Sequence, residues 1–259
     1  MNDPILVTRD GAIATVTLNN PERLNALSLA MWERLGAVAR ELHDDESLRC
    51  IVVRGAGDKA FAAGADIAAF EKERANARQA KEYGERIAAA MQSFAACRHP
   101  VVALIQGACV GGGLLVASQC DLRICNESAR FGVPVKNLGL VEAYDELRGM
   151  MTVVGRAATL EILLEGRIWG AREAYEKGLV NRVVADDKVV EEAYATARRI
   201  AEGAPLAARW HKKFVRRLSD PRPLSQQEYD ESYACFDTTD FREGVAAFLA
   251  KRKPSFKAK

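Results

Sequence analysis

The chain of 259 residues is 49% hydrophobic and 28% charged, which is typical of a globular protein with one α/β domain and an appendage, or of two small domains. A formal net charge of +2 does not favour a nucleic-acid partner, and no apolar run reaches the roughly 20 residues of a membrane span. The start, Met1-Asn2-Asp3-Pro4, has neither the basic nor the apolar region of a signal peptide, so we expect a cytoplasmic protein with no membrane partner.

The first half of the chain predicts strands that alternate with helices. Apolar residues on both sides of Asp10-Gly11 predict a β-hairpin, and Ser28 can cap an amphipathic helix. A charged, alanine-rich stretch predicts a long surface helix over 71–92. Apolar runs predict buried strands at 50–53, 101–105, 122–125 and 130–135. This alternation is typical of a parallel or mixed sheet with crossover connections.

From residue 137 onward the pattern becomes helical. Hydrophobic periodicity predicts one strand at 181–184 and helices over 140–153, 157–164, 172–177, 189–202, 206–218, 225–235 and 241–251. Five basic residues cluster in one of these helices, where we expect a solvated face: Arg209, Lys212, Lys213, Arg216 and Arg217. The pattern therefore predicts an α/β fold with a helical C-terminal appendage.

Two small-residue segments carry the clearest chemical signal. The segment 106–115, Gln-Gly-Ala-Cys-Val-Gly-Gly-Gly-Leu-Leu, lies between a predicted strand and a helix, and the segment 61–67 also follows a strand by a short turn. Glycine allows a ligand to approach the backbone, and the first turn of a helix has N–H groups without intrahelical acceptors. If the segments converge at one sheet edge, their N–H groups can form an oxyanion hole. The alternative is that both are ordinary turns.

Other chemistries have little support in the sequence. It contains no G-x-G-x-x-G, no G-x-x-x-x-G-K-[ST] and no G-x-S-x-G motif. His43 and Glu46 have a ligand-like spacing, but such a pair on a surface helix is usually solvated. The six cysteines form no Cys-x-x-Cys pair, so we expect neither a metal site nor a disulfide framework. Cys109, inside the glycine turn, is either a chemical group or a part of the pocket wall.

Several motifs are spread over essentially the whole chain: Asn19-x-Pro21-x-x-x-Asn25-Ala26-Leu27, Phe61-Ala62-Ala63-Gly64-Ala65-Asp66-Ile67, Gln106-Gly107 through Gly111-Gly112-Gly113, Cys120-Asp121, Phe131-Gly132, Gly170-Ala171, Gly178-Leu179-Val180 and Phe248-Leu249-Ala250-Lys251-Arg252-Lys253-Pro254. Together they resemble the enoyl-CoA hydratase/isomerase (crotonase) superfamily. The resemblance implies an α/β fold built as a crotonase-like ββα superhelix over 1–200, with a helical trimerisation region over 201–259. It also implies a homotrimer or homohexamer and an acyl-CoA substrate, with coenzyme A as part of the substrate and no separate cofactor.

The resemblance also assigns site residues. It implies an oxyanion hole at the N–H groups of Ala65 and Gly112, which hold the thioester oxygen as it becomes an enolate. Coenzyme A contacts are implied for two segments and for two residues that reach the ligand of a neighbouring subunit: Ala63, Asp66 and Ile67 at the adenine, Arg23, Leu24 and Ala26 at the pantetheine and phosphates, and Phe248 and Lys251 across the subunit boundary.

The chain departs from the family's hydratases at the two positions of their proton-moving glutamates. Those positions are Leu115 and Val135 here, and neither side chain can move a proton. Other branches of the superfamily place a catalytic Asp or Tyr three or four residues after the glycine that corresponds to Gly139. Glu142 is therefore the candidate acid or base, and Tyr144 is a further candidate. The alternative for Glu142 is a place in the first turn of a helix, which we expect for Asp145 and Glu146.

Three functions remain open from the sequence. The first is an enoyl-CoA isomerase or specialised hydratase that uses Glu142. The second is a malonyl-type acyl-CoA decarboxylase, because Asn137-Leu138-Gly139 and the C-terminal ending resemble the methylmalonyl-CoA decarboxylase branch, whose aligned tyrosine is Glu142 here. The third is a catalytically silent protein that binds acyl-CoA.

Overall fold

The computed structural model describes residues 3–259. Within them the chain forms ten strands, named β1 to β10 in chain order: Ile5–Asp10, Ile13–Leu18, Cys50–Gly55, Ala60–Ala62, Val101–Ile105, Ala108–Val110, Leu122–Asn126, Arg130–Gly132, Trp169–Gly170 and Arg182–Val184. The same residues form ten α-helices, named α1 to α10: Leu29–Asp44, Phe70–Glu73, Ala77–Ala96, Gly112–Ser118, Tyr144–Glu165, Ala171–Glu176, Val189–Ala201, Pro205–Leu218, Gln226–Glu231 and Thr239–Leu249. Short 3-10 helices lie at Pro21–Arg23, Ile67–Ala69, Pro134–Leu138 and Ala234–Asp237.

The strands form two sheets. The larger has the order β1-β2-β3-β5-β7-β10, in which only β1 and β2 are antiparallel. The smaller has the order β4-β6-β8-β9, in which only β8 and β9 are antiparallel. From β3 to β8, consecutive strands alternate between the large and the small sheet, and helices follow each pair. This arrangement confirms the ββα spiral that the resemblance implied.

Helix α1 shows how the sequence specifies one of these elements. The Ser28 side chain accepts a hydrogen bond from the Met31 N–H at 3.3 Å, which satisfies one of the free donors at the helix start. Trp32 and Leu35 are fully buried on the face that packs against α3. Burial of each such side chain contributes about 1.5 to 3 kcal/mol.

The helix predicted over 71–92 is wrong in its bounds, because the chain breaks between α2 and α3. Asn76 is extended and its side chain accepts a hydrogen bond from the Gln79 N–H at 3.1 Å, so it caps α3 as a new helix. Residues 74–76 therefore form a corner in the chain. The sequence pattern does not reveal this corner, because the apolar residues of α2 and α3 follow nearly the same helical spacing.

Two further predicted elements end or begin elsewhere. The strand predicted at 130–135 ends at Gly132, because Pro134 starts a 3-10 helix and cannot donate to a ladder. The helices predicted over 140–153 and 157–164 are one element, α5, which begins only at Tyr144 and is interrupted at Gly155, where φ is 72°.

The C-terminal helices dock on the core through basic side chains of α8. Lys212 Nζ donates to the His99 carbonyl at 2.8 Å and pairs with Asp121 at 2.8 Å. Arg209 donates to two carbonyl groups of the loop before β3. The prediction of a solvated face is therefore wrong for these two residues. The loops that precede β3 and β5 have carbonyl oxygens that need hydrogen-bond donors, and these side chains provide them. No helix in residues 3–259 has both the length and the apolar character needed to cross a membrane.

Candidate active site

The two segments assigned to coenzyme A, 23–26 and 63–67, lie side by side. Asn25 connects the first segment to the strand that leads into the second. Its buried side chain accepts a hydrogen bond from the Asn20 N–H at 3.0 Å and donates to the Ala60 carbonyl at 2.9 Å. One amide group provides both the acceptor and the donor, which a carboxylate or an aliphatic side chain at this position could not do.

A backbone bridge between Leu27 and Ala65 leaves the Ala65 N–H free. The Leu27 N–H donates to the Gly64 carbonyl at 2.8 Å, and the Leu27 carbonyl accepts from the Asp66 N–H at 3.2 Å. Because successive residues of an extended chain present their N–H groups to opposite sides, the Ala65 N–H points away from Leu27. Within the described chain it has no hydrogen-bond acceptor.

Gly112 brings a second free N–H next to this segment. Gly64 has a φ of 109° and Gly111 a φ of 49°, which favour glycine at both positions. A Cβ built on Gly112 would lie 3.7 Å from the Gly64 carbonyl carbon, and one on Gly111 would lie 3.5 Å from the Gly64 Cα. The Gly112 N–H is the first of α4 and finds no acceptor among residues 3–259. Two unpaired donors thus lie on adjoining stretches of backbone.

Helix α4 is held at both ends. A Cβ on Gly113 would lie 2.3 Å from the Ala62 carbonyl oxygen, so only glycine allows this approach to β4. At the other end the buried Arg123 donates to the carbonyl groups of Ala117 and Cys120, at 3.3 and 2.5 Å. A cation at a helix C-terminus is favourable, and its burial here lowers the pKa of the guanidinium. The Gly112 N–H is therefore fixed in position by both contacts.

Apolar side chains occupy positions 115 and 135, which the resemblance relates to the glutamates of the family's hydratases. Leu115 is 3% exposed and Val135 packs against the same hydrophobic cluster. Cys109 is fully buried in that cluster, and burial raises the pKa of its thiol well above the ordinary value. This favours the pocket-wall interpretation of Cys109. The described residues contain no group of three or more potential metal ligands.

Two glutamates form a carboxyl pair at the start of α5. Glu146 lies in the first helical turn, as expected, but it is only 7% exposed and accepts a hydrogen bond from the Ala143 N–H at 2.6 Å. Its carboxyl contacts that of Glu142, which is half-buried. Burial, and then the hydrogen bond and charge of Glu146, raise the pKa of Glu142 to about 8, against a smaller opposing effect of Arg74. With a pKa of about 8, the Glu142 carboxyl is mostly protonated at neutral pH.

The other candidates near Glu142 face solvent. Tyr144 is 92% exposed, which gives no support to a chemical role within its own chain. Asp145 lies 3.9 Å from Arg148 in an exposed ion pair, as expected from the sequence. Sequence reasoning missed the burial of Glu146, and it missed Arg74, which lies in the corner between α2 and α3 where a continuous helix was predicted.

The remaining predicted contacts lie at the surface. Arg23 pairs with Asp66, which joins the two coenzyme A segments, and Ile67 is exposed beside them. Phe248 and Lys251 lie at the end of α10, and Phe248 lines a cavity of about 430 Å³ between α8 and α10. Their contact with a neighbouring subunit stays a prediction.

Residues 8–259 match the family model described as enoyl-CoA hydratase/isomerase. A probable enoyl-CoA hydratase of Mycobacterium tuberculosis is 36% identical over 256 residues, which are 98% of either chain. Crotonyl-CoA hydratase of Syntrophomonas wolfei is 31% identical over 257 residues, again 98% of either chain. The crystal structure of an enoyl-CoA hydratase/carnithine racemase from Magnetospirillum magneticum has a TM-score of 0.98 and 54% identity, and the match covers 100% of this chain and 97% of that one.

Proposed function

The chain belongs to the enoyl-CoA hydratase/isomerase family, and we propose that it acts on an acyl-CoA thioester whose oxygen is held as an enolate by Ala65 and Gly112. The main support is the pair of N–H groups without acceptors on adjoining, glycine-fixed backbone. Such donors are oriented before charge develops on the thioester oxygen. Each is worth about 3 to 4 kcal/mol of transition-state stabilisation.

Glu142 is the group that moves the proton in this proposal. Leu115 and Val135 carry no titratable group, so a proton taken from or returned to the acyl carbon needs another partner. A carboxyl with a pKa near 8 is close to neutral pH, where general acid–base catalysis is most efficient. Moving a proton between two carbons through the enolate is double-bond isomerisation, and adding water to the double bond is hydration. One of these two is the proposed reaction, with coenzyme A as part of the substrate.

A panel of acyl-CoA thioesters analysed by mass spectrometry tests this function. We expect Glu142→Gln, which keeps the size of the side chain, to lower turnover by about 10² to 10⁴-fold. The matched variant Asp145→Asn removes a carboxylate from the same helix start, where it is exposed and paired with Arg148, and should leave turnover unchanged. Unchanged turnover in Glu142→Gln would exclude Glu142 as the proton-transfer group.

The apolar character of Leu115 and Val135 favours a second candidate, decarboxylation of a malonyl-type acyl-CoA. Loss of carbon dioxide produces the same enolate without a base, and apolar surroundings disfavour the carboxylate that is lost. Carbon dioxide release from a malonyl-type thioester, without hydration of crotonyl-CoA, would select this reaction. Binding of coenzyme A thioesters with no turnover across the panel would select a catalytically silent acyl-CoA-binding protein.

The proposed active form is a homotrimer or homohexamer in which residues 201–259 join subunits and Phe248 and Lys251 reach a neighbour's coenzyme A. Phe248 is 83% exposed and is followed by the exposed Leu249, so α10 ends in apolar surface of the kind that subunit contacts cover. Size-exclusion chromatography with light scattering should give a mass of three or six chains, and Phe248→Ser should weaken the assembly. A monomeric wild type would contradict this part of the proposal.

A further inference from the structure

Arg74 has no carboxylate partner among the described residues, and its guanidinium carbon lies near the centroids of two aromatic rings. Its guanidinium carbon lies 3.8 Å from the centroid of the Tyr83 ring and 4.5 Å from that of Phe70. Among the described residues it forms no ion pair within 4.0 Å, and its buried Nε has no acceptor. A cation near aromatic faces is attracted by the rings, and a guanidinium has five N–H donors, more than one neighbouring hydroxyl such as that of Tyr83 can use.

The position of Arg74 relates it to the proposed site. Phe70 follows directly on the 3-10 helix Ile67–Ala69, which continues the segment that contains Ala65. The Arg74 charge acts on the Glu142 carboxyl, and the charge of Asp66 acts on Tyr83, which is 4% exposed. The arginine is thus close to both the candidate acid and the coenzyme A segment.

We propose that Arg74 binds a carboxylate at the far end of the acyl group, so that the substrate is an acyl-CoA whose acyl chain carries a second, negatively charged end. This inference rests on the proposed function. The planar fork of arginine matches the two oxygens of a carboxylate, and such bidentate, charge-assisted contacts are among the strongest hydrogen bonds in proteins.

The neighbouring carboxyl pair is compatible with a negatively charged ligand. The raised pKa of Glu142 keeps its carboxyl mostly protonated at neutral pH, so Glu142 adds little negative charge near an incoming carboxylate. Leu115 and Val135, which belong to or pack against the hydrophobic core cluster, carry no charge. Arg74 is therefore the group that distinguishes a charged acyl end from an apolar one.

Isothermal titration calorimetry with saturated thioesters tests the inference without relying on turnover. Butyryl-CoA, succinyl-CoA and glutaryl-CoA differ in the end of the acyl chain and share the coenzyme A part. We expect the wild type to bind succinyl-CoA or glutaryl-CoA about 10 to 100-fold more tightly than butyryl-CoA. Arg74→Met should remove this preference and leave the affinity for butyryl-CoA unchanged.

Two further variants control the experiment. Arg78→Met removes a positive charge in the first turn of α3, where Arg78 is exposed and pairs with Glu82 at 3.0 Å, and it should keep the wild-type preference. Arg74→Lys keeps the charge without the planar fork and should lose most of the preference, which also covers the case in which Arg74→Met fails to fold.

Equal affinity of the wild type for all three thioesters would overturn the inference while leaving the proposed function intact. The same holds if Arg74→Met weakens all three equally, because Arg74 would then only join Phe70 to Tyr83. If the wild type binds none of the thioesters, the proposed function fails and this inference fails with it.

Discussion

The carboxyl pair at the start of α5 makes a quantitative prediction about Glu146→Gln. The amide oxygen of the new side chain can still accept the hydrogen bond from the Ala143 N–H, so the helix start is kept. The substitution removes the negative charge beside Glu142, and the amide N–H can donate a hydrogen bond to the ionised carboxylate. Both changes favour ionisation, so the pKa of Glu142 should fall from about 8. Because burial is the first cause of the shift, the pKa should remain above 4.5.

The size of the expected change in the free energy of unfolding follows from the linkage between pKa and stability. The pKa of Glu142 is raised on folding, so the stabilisation that Glu142 contributes is fully present below pH 4.5 and is lost as the pH rises through 8. At about 1.4 kcal/mol per pH unit, the wild type should lose on the order of 3 kcal/mol between pH 4.5 and 7. Glu146→Gln should recover at least about 1 kcal/mol of this at alkaline pH, which corresponds to a fall of about one unit in the pKa of Glu142.

Two measurements check the prediction. The pH–rate profile of the reaction found in the acyl-CoA panel should show an apparent pKa near 8 in the wild type and a value at least about one unit lower in Glu146→Gln. Urea unfolding at pH 6 and pH 9 should show a smaller alkaline loss of stability in the variant. Asp145→Asn should change neither result. If Glu146→Gln leaves the profile unchanged, or Asp145→Asn shifts it equally, Glu146 does not set the pKa of Glu142.

Three further predictions concern groups that hold the site in place. His99 is fully buried, and burial lowers its pKa to about 4. The stabilisation that the neutral His99 contributes should therefore be fully present above pH 6.5, and the free energy of unfolding should fall by about 1.4 kcal/mol per pH unit between pH 6.5 and pH 4. Urea unfolding of His99→Leu should lack this slope, and an unchanged slope would refute the assignment. Arg123→Met should lower the free energy of unfolding by about 1 to 3 kcal/mol, because carbonyls at the end of α4 lose their donor; a loss below about 0.5 kcal/mol would argue against this role. Gly113→Ala should cost about 1 to 3 kcal/mol and abolish turnover, since its methyl meets the Ala62 carbonyl, whereas Gly84→Ala has open space and should stabilise α3 by up to about 1 kcal/mol. Equal behaviour of the two glycine variants would contradict the packing argument.

The sequence predicts the large sheet well, but of the small sheet it predicts only β8, and that with its end placed too late. Strands such as β3 and β5 are buried on both faces, so they form continuous apolar runs in the sequence. Strands β4 and β6 have three residues each and consist mainly of small side chains, so they show no hydrophobic periodicity from which a strand could be predicted. The glycine segments are nevertheless interpretable as a pair of backbone donors, because a glycine pattern between strand and helix constrains the backbone directly.

The proposed proton-moving group, Glu142, is harder to predict because its properties depend in part on a neighbour that is distant in sequence. Glu146 has the residue type and position of an ordinary first-turn acid, and only its burial shows that it is a partner of Glu142. Arg74 is far away along the chain, in a corner that the helical pattern conceals, yet its charge acts on the same carboxyl. If Leu115 and Val135 stand where the family's hydratases have glutamates, as the resemblance implies, the proposed site still has a titratable group in Glu142. In our proposal the mostly protonated Glu142 is near the charge of Arg74, and this combination suits an acyl chain with a carboxylate at its end better than an apolar one.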